Sequence, residues 1–261
     1  MSNIDRRDFL KILGVGAIVG IWGGSFFEIV NKRELEASIG SYKKAPEALQ
    51  AKKWAMVIDI KKLNKKIIND CIEICHSIHN VPTIANPKEE IKWIWEEKFK
   101  NVFPEIKDQY LSYELMEMPV LVLCNHCDNP PCVRVCPTKA TFKRKDGIVM
   151  MDMHRCIGCR FCMAGCPYGA RSFNWRDPRQ YIKNENKEFP FRMKGVVEKC
   201  TFCYERLARG LPPACVEVSQ GAIVFGDIEN PESAVRKILS TNLAIRRKPK
   251  LGTNPSVYYL L

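Results

Sequence analysis

The sequence predicts an α+β fold assembled from two small cysteine-rich modules, and three observations carry that prediction. Thirteen cysteines in 261 residues fall into closely spaced groups. Two of the groups are complete runs that close with Cys-Pro: Cys124, Cys127, Cys132 and Cys136 before Pro137, and Cys156, Cys159, Cys162 and Cys166 before Pro167. Between them, β-prone stretches at 141–144 and 148–153 flank Asp146-Gly147, a hairpin signal that joins one run directly to the next.

The run from Cys156 reads C-x2-C-x2-C-x3-C-P, the bacterial ferredoxin spacing for a cubane iron–sulfur cluster. A cubane offers four iron corners, and three cysteines on one tight loop can wrap three of them. The fourth, at the start of the following segment, points away and serves a second cluster, so a run of this kind implies a partner run. The run from Cys124 is C-x2-C-x4-C-x3-C-P, with its middle loop widened by Asn129-Pro130-Pro131. The fold class is therefore α+β, with duplicated ferredoxin-like modules and bound cubane clusters.

Two incomplete groups flank the complete ones. Cys71 and Cys75 stand x3 apart, like the last two cysteines of a run, but Ile68 occupies the position three residues before Cys71. Cys200 and Cys203 are followed by Cys215, and Ser219-Gln220 stands where a closing Cys-Pro belongs. Disulfides suit cysteine-rich exported chains, and zinc takes isolated C-x2-C pairs. Neither explains clustered groups of which two end in Cys-Pro. His76, His79, His126 and His154 all lie near cysteines; with enough thiols present, their expected role is hydrogen bonding around the sites.

Composition narrows the function. Lys and Arg number 41 against 29 Asp and Glu, a formal charge of +12, yet no nucleic-acid-binding motif accompanies the charge. A docking face for a membrane or protein partner is expected, and no nucleic acid. There is no nucleotide-binding glycine loop, no Ser/His/Asp arrangement and no c-type haem motif, so the chain is expected to perform no bond chemistry of its own.

In chain order, Arg6-Arg7 and Phe9-Leu10-Lys11 precede a Gly-rich apolar stretch, the pattern of a Tat export signal. Residues 1–30 are read as that signal or as a retained N-terminal anchor, and residues 31–53 as a linker. Residues 54–240 form the tandem ferredoxin-like domain, with a cysteine-free insertion at 86–118. Strands are expected at 54–60, 171–175, 196–199 and 222–227, and a helix at 231–240 opening on Pro231. In the insertion, Ile91, Ile94, Trp95 and Phe99 share one face at helical spacing. Residues 241–261 read as an extended basic tail.

The four cysteine groups resemble the tandem-ferredoxin electron-transfer subunits of polysulfide reductase, nitrite reductase and related membrane complexes. Within that family they are most similar to the extracytoplasmic iron–sulfur subunits of Dsr membrane complexes, the Hdr-like menaquinol oxidoreductases. The resemblance rests on Cys124 to Cys136 with Asp128-Asn129-Pro130-Pro131, on Cys156 to Cys166, on Tyr168 through Pro178, and on Leu251-Gly252-Thr253 with Val257-Tyr258-Tyr259. It implies pairing of the second run with the third and of the first with the fourth. That pairing places one cluster on Cys124, Cys127, Cys132 and Cys166, and one on Cys136, Cys156, Cys159 and Cys162. A third falls on Cys75, Cys200, Cys203 and Cys215. All departures from the family pattern fall on the fourth site, where only Cys71 remains, so three [4Fe-4S] clusters are expected on twelve of the thirteen cysteines.

The resemblance further implies an electron wire exported by Tat to the extracytoplasmic face of the cytoplasmic membrane. Its partners would be an integral membrane quinone-binding subunit drawing on menaquinol, a multihaem cytochrome c and other subunits of a membrane redox complex of sulfur metabolism. The alternatives are an electron-transfer subunit of an exported molybdopterin oxidoreductase, or a protein whose clusters only sense oxygen or staple the fold.

Overall fold

The run Trp-Ala-Met-Val-Ile-Asp forms strand β1 (Trp54–Asp59), which is buried on both faces because both are covered. Trp54, Met56 and Ile58 point into the main hydrophobic cluster, and Ala55 and Val57 pack against Val235 on the other side. The computed structural model describes residues 46–106 and 110–261. The signal or anchor assigned to residues 1–30, and the linker up to residue 45, lie outside the described residues.

After β1 comes the longest helix among the described residues, Lys65–Ile78, whose N-terminus is capped by Asn64 accepting from the Ile67 N–H at 2.9 Å. The insertion then gives β2 (Ile94–Lys98) and short helices at Phe99–Val102 and Tyr113–Glu117. β2 pairs antiparallel with β3 (Pro119–Leu123), Trp95 facing Val122. The helix expected from Ile91, Ile94, Trp95 and Phe99 is thus mostly a strand. Ile91, Trp93 and Ile94 are all buried. Ile94 and Trp95, adjacent and on opposite faces, both pack against buried clusters, so the apolar residues do not alternate and imitate helical spacing.

The complete runs contribute helix Pro131–Arg134, the hairpin β4 (Thr141–Lys143) and β5 (Val149–Met151), and helix Phe161–Ala164. Gly147 closes the hairpin at φ +86°, a turn conformation that glycine supplies without strain. β6 (Ser172–Phe173) pairs with β7 (Val197–Glu198), each shorter than the stretch its sequence suggests. Helices Tyr204–Leu207 and Ala214–Val218 lead to β8 (Ile223–Asp227). The next helix, Ala234–Thr241, starts later than Pro231 suggests, because Ser233 caps it by accepting from the Arg236 N–H at 3.1 Å.

The tail is built into the same body. β9 (Ala244–Ile245) and β10 (Val257–Leu260) extend the sheet in the order β8-β1-β10-β9, with β10 parallel to β1 and β8 antiparallel to it. The module is also visible twice. Helix Lys65–Ile78 packs on Ala214–Val218 beside the β1–β8 pair, and helix Pro131–Arg134 packs on Phe161–Ala164 beside the β4–β5 pair. The outer module is closed by the two ends of the domain and the inner one by the chain between them.

Candidate metal centres

In each of the three loops that open on C-x2-C, the residue immediately before the second cysteine is in the left-handed region: His126 at φ 42°, Gly158 at 69° and Phe202 at 55°. That reversal turns successive thiols toward one side. In the loop from Cys156 it must be glycine, because a Cβ on Gly158 would lie 2.4 Å from the Gly195 carbonyl oxygen.

The twelve cysteines singled out by spacing and resemblance line three cavities, four to each. The core cavity is bounded by Cys75, Cys200, Cys203 and Cys215. The middle cavity is bounded by Cys124, Cys127, Cys132 and Cys166. The surface cavity is bounded by Cys136, Cys156, Cys159 and Cys162. Leu123 lines the core cavity and its neighbour Cys124 the middle one, while helix Pro131–Arg134, carrying Cys132 of the middle cavity, packs on helix Phe161–Ala164, carrying Cys162 of the surface cavity. The middle cavity therefore adjoins each of the other two. Residues from the first and fourth groups, far apart in sequence, meet in the core cavity through the packing of helix Lys65–Ile78 on Ala214–Val218.

Four thiols about one cavity are the donor set of a [4Fe-4S] cluster, and the residues present fit that group. Their electrostatics point the same way. Burial pushes the Cys75 thiol well above its ordinary value, and the facing Cys203, Cys200 and Cys215 push it in the same direction. Burial, reinforced by Cys124, brings Cys127 and Cys200 each up to about 12. Thiols held this way do not ionise by themselves, and a bound metal is what makes four adjacent thiolates tolerable. In the surface cavity, burial is opposed by hydrogen bonds from Thr141, Thr138 and Ala140, which leave Cys136 below its ordinary value.

The fourth position is built differently. Residues at the places of the first run's first three cysteines, Lys65, Ile68 and Cys71, belong to a continuous helix, not to a wrapping loop. Ile68, Cys71 and Ser219 are completely buried. Cys71 Sγ donates to the Cys215 carbonyl at 3.4 Å, and Ser219 Oγ donates to the Val216 carbonyl at 2.8 Å while accepting from the Ile223 N–H at 3.1 Å. Side-chain packing occupies this corner of the core.

Among the histidines, His79 lines the core cavity, but both ring nitrogens are engaged. Nδ1 donates to the Cys75 carbonyl at 2.8 Å, and Nε2 lies 2.8 Å from Glu205 Oε1. His126 Nδ1 accepts from the Val149 N–H at 3.1 Å. His76 is half-buried and His154 exposed.

Two cavity-side residues escaped the reading of spacing. Arg171 lines the middle cavity, its Nη1 donating to Thr141 Oγ1 at 3.2 Å and its Nη2 unpartnered. Lys199 is buried and donates to the carbonyls of Val149 and Cys200. The available signal was a basic residue at the end of a short strand beside a cysteine group.

Residues 118–183 and residues 155–226 each match a family described as a 4Fe-4S dicluster domain. The whole chain is similar to iron–sulfur subunit 1 of the Hdr-like menaquinol oxidoreductase of Archaeoglobus fulgidus, at 38% identity over 98% of this chain and 97% of that protein. The chain belongs to this family of tandem 4Fe-4S iron–sulfur subunits. Other members are similar over most of their length. The iron–sulfur cluster-binding subunit of the menaquinone reductase of Nitratidesulfovibrio vulgaris is 36% identical over 80% of this chain and 88% of its own. One subunit of the tetrathionate reductase of Salmonella typhimurium is 36% identical over 99% of this chain and 89% of its own. Among the described residues of this family member, no helix is long and apolar enough to cross a membrane.

Proposed function

We propose that this chain is an electron-transfer subunit carrying three [4Fe-4S] clusters. Cys75, Cys124, Cys127, Cys132, Cys136, Cys156, Cys159, Cys162, Cys166, Cys200, Cys203 and Cys215 are its ligands. It connects an integral membrane quinone-binding subunit to a multihaem cytochrome c or another redox partner of a menaquinol-linked complex of sulfur metabolism. The observation that carries this reading is the set of three cavities with four cysteines each. Clusters in such sites pass single electrons at potentials set by burial and hydrogen bonding. The chain's own residues hold them in order, exclude water and supply charge.

The surface cavity has an exposed edge. Cys159 is exposed, and beside it Ile157 and Phe161 are 68% and 59% exposed, so a partner can approach the surface cavity closely. Menaquinol as the quinone is supported by the names of the relatives in Archaeoglobus and Nitratidesulfovibrio, a menaquinol oxidoreductase and a menaquinone reductase subunit. The twin-arginine start supports export in the folded state and a position on the extracytoplasmic face. A second reading, a subunit of an exported molybdopterin reductase, is favoured by the likeness to the tetrathionate reductase relative over nearly the whole chain.

Iron analysis of anaerobically isolated protein tests the cluster count. About twelve iron atoms per chain, four for each cubane, are expected, and about sixteen would refute it. Isolation of the native complex separates the two readings of its partners. A quinone-binding membrane subunit with cytochrome c supports the first, and a large molybdenum-containing chain supports the second.

A further inference from the structure

Four cations are buried among the described residues: Arg171, Arg192, Lys199 and Arg247, each at most 5% exposed. Among the described residues only Arg192 has a carboxylate partner, Glu198 at 2.7 Å. The other three surround the middle cavity. Arg171 lines it and stands at its junction with the surface cavity, since Nη1 also reaches Sδ of Met151, a surface-cavity residue, at 3.7 Å. Lys199 stands at the opposite junction. It donates to the carbonyl of Val149, which lines the middle cavity, and at 2.7 Å to that of Cys200 in the core cavity. Arg247 packs over the ring of Tyr168, another middle-cavity residue, with its guanidinium carbon 5.3 Å from the ring centroid and with Nε and Nη1 unpartnered.

A buried cation without a counter-charge is strongly disfavoured. Among the described residues none of these three forms an ion pair with a carboxylate, and the thiol groups of the cavities are the acidic groups they stand beside. We infer that Arg171, Lys199 and Arg247 are the counter-charges of the wire, and that they make the middle cavity the place where a transferred electron is held most strongly. The inference rests on the three-cluster reading. Adding one electron adds one negative charge, and a nearby cation in a low-dielectric interior favours the reduced form over the oxidised one. Arg171 acts on the middle and surface sites, and Lys199 on the middle and core sites. Only the middle site feels all three. One electron enters and the same electron leaves; no bond forms or breaks.

The test is a redox titration of the full chain, isolated anaerobically with its native partners and followed by electron paramagnetic resonance. Signals are assigned with Cys124→Ser, Cys159→Ser and Cys203→Ser. In the unmodified protein the middle signal is expected to titrate at the highest potential. Arg171→Gln should lower the reduced-to-oxidised ratio of the middle and surface signals at least tenfold at fixed potential, about 59 mV for a one-electron couple, and spare the core signal. Lys199→Gln should do the same to the middle and core signals and spare the surface one. Unmoved potentials with full iron content, equal drops in all three signals, or a middle signal that is not the highest would overturn the inference. If Arg171→Gln loses iron, Arg171→Lys decides: potentials held near the original support the role of charge, and a tenfold drop refutes it. Iron content, measured on the same samples, tests the cluster count separately.

Discussion

The rings of His126 and Phe202 stack with centroids 3.7 Å apart and planes 19° from parallel. Both residues stand just before the second cysteine of a C-x2-C pair, and both are in left-handed backbone, which disfavours side chains larger than glycine. The contact between them offsets that cost. It also fastens the loop of the middle cavity to the loop of the core cavity, face to face, so the spacing of the two sites is set by two packed aromatic rings.

Replacing Phe202 tests that fastening. Its ring is 1% exposed and also meets Phe225 edge-on at 5.2 Å. Phe202→Ala empties this space and is expected to cost about 3–5 kcal/mol, with Phe202→Leu costing less. The measurement is the denaturant midpoint of anaerobically prepared protein. An alanine variant within about 1 kcal/mol of the original would show that the stack holds nothing, since surface changes routinely cost that little.

At the equivalent position of the surface cavity, glycine is required for a different reason. Gly158→Ala combines the left-handed backbone with a Cβ driven against the Gly195 carbonyl, and no side-chain rotation relieves a clash with backbone. The expected result is selective loss of about four irons and one paramagnetic signal, with the other two clusters retained. Loss of all three signals together would mean that the loop supports the whole domain and not its own cavity.

These loops also show how much of the site the sequence made legible. Thiols that hold one cluster through C-x2-C spacing are neighbours in the chain, so Cys124 with Cys127, and Cys156 with Cys159 and Cys162, could be read directly. The meeting of Cys75 with Cys200, Cys203 and Cys215 could not, because it depends on one helix packing on another from the far end of the domain. It came from family resemblance. The buried cations were less legible still. Lys199 and Arg171 look like ordinary basic residues until the fold closes around them, and burial is a property of the packed chain. The insertion failed for a physical reason of its own. Trp93 stands just before a strand whose first two residues, Ile94 and Trp95, pack on opposite sides, and three consecutive apolar residues erase the alternation that distinguishes a strand from a helix.

Trp93 leads to a third prediction. Its Nε1 donates to Glu198 Oε2 at 2.7 Å, and the same oxygen accepts from Arg192 Nε at 2.7 Å. Asn174 donates to the other carboxylate oxygen. Glu198 is wholly buried, and Arg192 in turn holds the carbonyls of His79 and Asn80 at the end of the long helix. Glu198→Ala leaves a guanidinium and an indole N–H buried without their acceptor, expected to cost about 3–5 kcal/mol. The double variant Glu198→Ala with Arg192→Met should recover part of that loss, because it also removes the stranded charge. No recovery in the denaturation midpoint would mean that the pair contributes through packing alone.

The two cysteines of the first group, four residues apart on the same helix, should behave differently. Cys75 opens onto the core cavity with three other thiols, whereas Cys71 is enclosed by side chains and bonded to the Cys215 carbonyl. Burial, with Asp70 beside it, pushes the Cys71 thiol up to about 12, as burial does for the cavity thiols, so position and not acidity sets it apart: Cys71 lines none of the three cavities. Cys75→Ala is expected to remove about four irons per chain and one paramagnetic signal, because a cubane cannot be held by three protein corners as firmly as by four. Cys71→Ala exchanges a small buried side chain for a smaller one. It should keep every iron and lower stability by roughly 1 kcal/mol, in the range of a minor cavity. Iron content and signal count, measured on the two variants side by side, separate the roles. Equal iron loss from both would place Cys71 at a cluster after all, and with it the fourth site that the helix Lys65–Ile78 and the buried Ser219 otherwise close off.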